Sequence, residues 1–281
     1  ALFALTDPGD EVILTDPCYA GTIMRVRLAG AVPRFVPWLV DTNGWRLDLD
    51  ALERAVTSAT RALLLMSPSM PTGGFINAND WGRIARICQD RSLWLIYITA
   101  MDRILFGGLP LLHPAALQGM PERTITIGSV SKEFRMIGWR VGWAVAPASV
   151  IDGLTRAHIY NVVTPPGVTQ VGAVAALQAP DVDFEECRAE WESRHNTVVS
   201  ELANYPVVPA AGGWSVLMDV AKLGLDAQVT SKRLLQLGKI AATPMTHWGK
   251  HVAPRYVRFV FSNEPVDRLR SLGDRVRRAL G

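Results

Sequence analysis

The sequence predicts an α/β protein: a mainly parallel sheet sandwiched by helices, followed by a smaller C-terminal α+β domain. Three observations lead there. Short aliphatic or β-branched runs alternate with helical patterns from Glu11 to Ala146, the rhythm of strands covered by their own crossovers. Near Asp181–Glu185 that rhythm gives way to a long polar helix, and mixed strands and helices follow. The division predicted is a large unit over 1–184 and a small one over 185–281.

The elements read in order as follows. Ala1–Leu5 has the character of the tail of an apolar helix, running straight into the turn Asp7-Pro8-Gly9-Asp10. The chain is therefore expected to begin inside a domain whose earlier part is absent. Glu11–Thr15 is a strand and Tyr19–Ala29 a helix closed by Gly30, the residue that best ends a helix in a left-handed conformation. Arg34–Pro37 is a second strand, and Leu49–Val56 an amphipathic helix with Asp48 or Asp50 to cap it. Arg61–Met66 is a buried strand ending in the turn Ser67–Gly74. Asp80–Gln89 is a helix, Ser92–Ile98 the next strand, and Arg123–Gly128 and Val141–Ala146 are two more with a loop between them. The C-terminal part holds a helix over Glu185–Asn204, a strand near Trp214–Asp219, a helix near Thr230–Leu237, a strand over Arg255–Phe261 and a terminal helix.

Composition excludes several functions. A net charge of +3 over 281 residues, with both signs interspersed, provides no basic stripe for nucleic acid or an anionic membrane. The arginines at 268, 270, 275, 277 and 278 read as the solvated face of a last helix. Cys18, Cys88 and Cys187 lie far apart, without CxxC or zinc spacing, so neither a disulfide framework nor a metal site is expected and the location expected is cytoplasmic. Apolar runs such as Ala62–Met66 and Leu93–Ile98 are too short to span a bilayer. No G-x-G-x-x-G follows a strand, and none of the five histidines has a nucleophile-elbow context. His158 and His195 read as solvated.

The stretch richest in chemistry is Ser129-Val130-Ser131-Lys132 through Gly138-Trp139-Arg140. An amine on a loop at strand ends can form an imine with an aldehyde if a dry site lowers its pKa. A serine hydroxyl and a guanidinium nearby can hold a phosphate. Late in the chain, Arg258 in Tyr256-Val257-Arg258-Phe259 alternates with apolar neighbours and so faces away from them, into a cleft or into solvent.

Ser129–Arg140 is similar to the S-x-S-K-x(6)-G-x-R signature of the class I/II aminotransferases. Three further stretches resemble segments of that family: Asp7–Val12 through Asp16-Pro17-Cys18-Tyr19, the turn Ser67–Gly73, and Tyr256–Phe259. The resemblance covers nearly the whole chain. It implies fold type I, pyridoxal 5'-phosphate as cofactor, amino-acid and 2-oxo-acid substrates, and a homodimer with its sites at the interface. It also implies roles: Lys132 as the catalytic, imine-forming lysine, Tyr19 as the ring stacked on the cofactor, Ser129 and Arg140 as phosphate ligands, and Arg258 as the clamp on the substrate α-carboxylate.

Three positions depart from the family. Met70 stands in place of an asparagine and Met101 in place of a tyrosine, both of which bond the cofactor's phenolic oxygen. Ile98 replaces the aspartate that keeps the ring nitrogen protonated, and Asp102 comes four positions late, beyond the strand. The anchoring residues are kept while the tuning residues are gone. Two readings stay open: a working aminotransferase of a divergent branch, which the joint retention of Lys132 and Arg258 favours, or a scaffold that has lost transamination for other amine chemistry, binding or regulation. Trp214, Trp248 and Met101 suggest an apolar pocket for the substrate side chain.

Overall fold

A computed structural model describes all 281 residues. Strands β1 (Glu11–Asp16), β2 (Val32–Asp41), β3 (Gly44–Leu47), β4 (Thr60–Leu65), β5 (Trp94–Ile98), β6 (Thr124–Ser129) and β7 (Gly142–Val145) form one sheet in the order β3-β2-β1-β4-β5-β6-β7. The five inner strands are parallel, and β3 and β7 are antiparallel edges. β8 (Val207–Val208), β9 (Ser215–Asp219), β10 (Thr243–Pro244) and β11 (Tyr256–Val260) make a second, antiparallel sheet ordered β10-β11-β9-β8.

The helices are α1 (Leu2–Leu5), α2 (Ala20–Leu28), α3 (Leu49–Ala55), α4 (Ala78–Asp90), α5 (Ala148–Val162), α6 (Gly167–Gln178), α7 (Val182–Glu201), α8 (Ala227–Gln236), α9 (Val266–Leu269) and α10 (Leu272–Leu280). Side-chain caps start three of them. Asp48 accepts from Ala51 N at 2.9 Å, Asn77 from Asp80 N at 3.0 Å, and Asp226 from Gln228 N and Val229 N, each satisfying amides that the helix leaves bare. On α4 the buried residues Trp81, Ile84, Ala85, Ile87 and Cys88 keep helical spacing and pack on one face of the large sheet with Ile13, Trp38 and Leu63. The other face carries Val12, Leu14, Ile96 and Ile125 against Ile23 and Val26 of α2. Burial on both faces explains why these strands read as unbroken aliphatic runs.

Several elements depart from the sequence reading. β2 runs longer and pairs with β3, which the pattern does not mark. α5 and α6 are also unmarked. Their valines, threonines and glycines are modest helix formers, Pro165-Pro166 between them reads as a loop, and only Ala173 is buried on the pair. His195 is not solvated: it is buried, its Nε2 accepts from Ala210 N at 3.0 Å, and the rings of Phe106 and Phe261 flank it. Of the arginines after Phe261, Arg268, Arg270 and Arg277 are exposed as expected and pair with acidic neighbours one helical turn away, whereas Arg275 is half-buried and its Nε donates to Gly238 O at 2.9 Å.

In the parallel sheet the chain runs outward from β1 to β2 and then returns past β1 to β4. The carboxyl ends on either side of such a reversal open a crevice where ligands bind in folds of this kind. Asp16–Tyr19, Ser67–Gly74, Ile98–Asp102 and Ser129–Lys132 are the segments that leave those ends. Gly73 shows how tightly they meet the small sheet. Its φ is +69°, and a Cβ there would overlap Ala210 Cβ and lie 2.6 Å from Gly212 O, so only glycine fits.

Beside this rim two carboxyl groups meet, Asp102 buried and Glu133 half-buried. Asp102, 9% exposed, lies within hydrogen-bonding reach of Glu133, whose Oε1 accepts from Arg103 N at 3.0 Å. Burial pushes Glu133 up to about 8 and raises Asp102 as well, so the pair holds a proton that the unfolded chain releases near 4.5. A carboxyl whose folded pKa is raised contributes most at low pH and loses that contribution as pH rises from the unfolded to the folded value. The stability advantage of wild type over Glu133→Gln, measured by urea denaturation, should therefore shrink between pH ~4.5 and ~8. An advantage that grows over this interval contradicts a shared proton.

Candidate active site

β1 ends in a carboxylate. Asp16 is 1% exposed. Its Oδ2 accepts from the backbone amides of Lys250 at 3.0 Å, His251 at 2.6 Å and Val252 at 3.0 Å, and its Oδ1 accepts from Ala253 N at 3.0 Å. Two residues on, Cys18 N donates to Trp248 O at 2.7 Å. Tyr19 then sits at the N-cap of α2, half-exposed, with its ring edge-on to Trp248 at 5.8 Å. The guanidinium of Arg25 lies 5.8 Å from the Tyr19 centroid.

The next two strand ends supply shape without polar chemistry toward the crevice. In the turn after β4, Met70 is half-buried against the apolar cluster that includes Met101, Ile104 and Phe106. Tyr97 donates its hydroxyl to Ser67 O at 3.1 Å from the opposite side of the turn. At the end of β5, Ile98 packs with Ile127 against Leu14 and Ile96. Thr99 turns its hydroxyl to Ile127 O at 3.2 Å, and Met101 is 2% exposed beside Gly213. Asp102 does not replace the missing carboxylate at position 98, because its partner is Glu133.

β6 delivers the amine. Ser129 ends the strand with its Oγ 3.4 Å from Ser131 N, Val130 is fully buried, and Lys132 follows in the turn, half-buried. Lys132 Nζ sits 5.1 Å from the Trp214 ring centroid. Burial lowers its pKa, and the charges of Arg140 and Arg258 lower it further. Arg140 is exposed, in left-handed conformation at φ +57°, with Nη1 donating to Ile137 O at 2.6 Å.

Arg258 comes from the middle of β11, opposite Leu217 of β9 and Thr243 of β10. Its neighbours Val257 and Phe259 are buried in the core beneath the small sheet, so strand alternation turns Arg258 out of that core. Of the two directions the sequence leaves open, the cleft is the one taken. The guanidinium lies 4.6 Å over the ring of Trp248, and Nε and Nη1 are enclosed with no hydrogen-bond partner. Burial lowers its pKa to about 10, opposed by Tyr19. A desolvated cation without a counter-charge is costly; a bidentate anion would remove that cost.

The fold thus gathers Tyr19, Lys132, Arg140 and Arg258 into one neighbourhood, while the Ser129 hydroxyl lies 3.4 Å from the amide of Ser131. Trp214 and Trp248, read from sequence as pocket walls, are partners of Lys132 and Arg258. Asp16 escapes the sequence reading altogether. The one local signal is a charged residue closing an aliphatic strand, immediately before a proline. The assembled chemistry is an amine of lowered basicity, two guanidinium groups and aromatic surfaces, which suits an anionic partner with a carbonyl group.

The family model described as "Aminotransferase class I and II" matches residues 1–275. Arginine–pyruvate transaminase of Pseudomonas aeruginosa is 35% identical over 235 residues, covering 82% of this chain and 59% of that protein. Aspartate aminotransferase of Pyrococcus abyssi is 30% identical over 99% of this chain and 72% of its own length. Among solved structures, the aromatic aminotransferase from Pyrococcus horikoshii OT3 superposes with a TM-score of 0.94 at 30% identity, over 99% of this chain and 75% of that one. The chain spans 59 to 72% of the length of these two curated relatives. A match over nearly every residue and a shared fold at this identity lead to one conclusion: the chain belongs to the class I and II aminotransferase family.

Proposed function

We propose that the protein is a pyridoxal-phosphate-dependent aminotransferase that moves an amino group between an amino acid and a 2-oxo acid. The observation that carries this reading is the pairing of a half-buried amine of lowered pKa, Lys132, with a buried, unpaired guanidinium, Arg258. The relatives described above are all named for transamination, which favours this reading over a scaffold turned to binding or regulation.

Enzymes of this family are generally pyridoxal-phosphate-dependent, and the residues present fit that group at two of its ends. Lys132 is the amine for its aldehyde. Arg140 and Ser129 would hold its phosphate, and Tyr19 offers a half-exposed ring to stack on it. In place of polar partners for the ring the crevice would offer hydrocarbon at Ile98 and a thioether at Met70, with Met101 sealed beneath. When bound, the cofactor supplies an aldehyde that captures amines and a conjugated ring that draws electrons from the substrate's Cα.

The chain's own residues do the rest. Arg258 takes the α-carboxylate in a bidentate grip against the face of Trp248, which fixes how Cα is presented. Lys132 has the nitrogen to take the proton from Cα and return it, and its lowered pKa keeps more of it in the basic form at neutral pH. Ile98 offers no carboxylate that would keep a pyridine nitrogen protonated. The same reading includes a homodimer in the cytoplasm. The exposed apolar residues of α5 and α6, among them Tyr160, Val168 and Val171, support the first, and three unpaired cysteines are consistent with the second. No helix is long and apolar enough to cross a membrane.

Borohydride reduction of the holoenzyme followed by peptide mapping should place the cofactor on Lys132; a label on another residue refutes the assignment. Ile98→Asp should raise the transamination rate at unchanged cofactor occupancy, and no gain would mean that the apolar ring edge is not what limits the enzyme. Truncating one partner of a desolvated charge pair costs about 2–5 kcal/mol. Arg258→Ala should accordingly weaken amino-acid binding by about 30-fold or more, and leave cofactor affinity nearly unchanged, since Arg140 is a separate ligand. Arg258→Lys should recover only part, because an ammonium keeps the charge and loses the fork. Spectral titration measures both constants, and intact amino-acid binding in Arg258→Ala rules out the clamp.

A further inference from the structure

We infer that Asp16 is a positioning residue for substrate recognition: its carboxylate fixes the loop that carries Trp248, and through Trp248 it sets the guanidinium of Arg258. The inference rests on Arg258 being the carboxylate clamp. Trp248 lies in the connection between β10 and β11, where Trp248 N donates to Met245 O at 2.9 Å. Its ring is in contact range of both Arg258, at 4.6 Å, and Tyr19, at 5.8 Å. The loop has two attachments to the end of β1. One is the Cys18 N to Trp248 O hydrogen bond at 2.7 Å. The other is the set of four amides, from Lys250 to Ala253, that converge on Asp16.

Two features show that the site is built around this carboxylate. Gly249 is the residue between Trp248 and the four amides, and a Cβ on it would fall on Asp16 Oδ1, far inside contact distance. Only glycine lets the loop close over the acid. The second feature is what Asp16 leaves alone. Its oxygens are committed to amides, and Arg258 keeps Nε and Nη1 unpaired. An acid facing the guanidinium would compete with the incoming carboxylate. An acid that holds the guanidinium's support from behind orients it and leaves its charge available.

Calorimetric titration of the holoenzyme with 3-phenylpropanoate, a monocarboxylate with no amino group to react, tests the inference. Asp16→Asn keeps one acceptor and turns an NH₂ group toward the remaining amides. It should weaken the probe about tenfold, the scale of losing charge-assisted hydrogen bonds, with the dissociation constant for pyridoxal phosphate unchanged. Gly249→Ala, which keeps the charge and displaces the carboxylate, should weaken the probe in the same direction. In an Arg258→Ala background, Asp16→Asn should cost nothing further, because residues acting through one contact are not additive. Wild-type probe binding in a cooperatively folded Asp16→Asn protein, or additive losses in the double variant, would reduce Asp16 to a structural cap and overturn the inference. Should Asp16→Asn fail to fold, Gly249→Ala alone and with Arg258→Ala supplies the same comparison. Probe binding that survives Arg258→Ala places the fault in the clamp itself, an outcome separate from failure of Asp16.

Discussion

The carboxylate of Asp16 is shut away from solvent, 1% exposed, and four amides from a segment 234 to 237 residues away hold it. An ionised acid removed from solvent is tolerated only when hydrogen bonds replace its hydration. Neither side can leave without stranding the other: the acid would lose its donors, and four backbone N–H groups would lose their acceptor. The connection between β10 and β11 is therefore held against the carboxyl end of β1, where a doubly wound sheet opens its crevice. Tyr19, Trp248 and Arg258 meet because of that junction. The large sheet provides the floor, and the small sheet is brought to it as the wall that bears the cation.

The opposite edge of the crevice follows a different logic. Ile98 belongs to an apolar cluster with Ile96, Ile127 and Leu14, and Met101 is sealed beside Gly213. These side chains complete the packing on which the strand ends rest. The acidic residue nearest in sequence, Asp102, is bound up with Glu133, the residue after Lys132. A site with strong grips on anionic groups and a hydrocarbon edge separates holding from electronic tuning. In this chain the first is provided by cations against aromatic faces, and no carboxylate at position 98 provides the second.

Most of the fold was legible because burial on two faces leaves a plain mark. The strand runs at Glu11–Thr15, Arg61–Met66 and Ser92–Ile98 all fall within two residues of the observed β1, β4 and β5. Lys132 and Arg140 stood out through the spacing of a loop signature, and Arg258 through its alternation with buried neighbours. What escaped depends on partners distant in sequence. The role of Asp16 requires knowing that residues 250–253 return to it. Trp248 and Trp214 read as apolar walls because no local pattern shows a cation over an indole. His195 looked solvated on a polar helix, and only the arrival of Ala210 N and two phenylalanine rings makes it a core residue. α5 and α6 were missed for another reason: valine, threonine and glycine weaken the helical signal, and almost nothing on them is buried.

Both Lys132 and Arg258 rest on indoles, the amine on Trp214 and the guanidinium on Trp248. A positive charge held over an indole face is stabilised by the ring's electrons and in turn perturbs them. Neutralising or displacing either cation changes the field at one particular tryptophan. The indoles of Trp38, Trp45 and Trp81 sit deep in the core of the large sheet, away from any such change. Trp214 thus feels the charge of the amine and Trp248 that of the guanidinium, each through the ring face the cation covers.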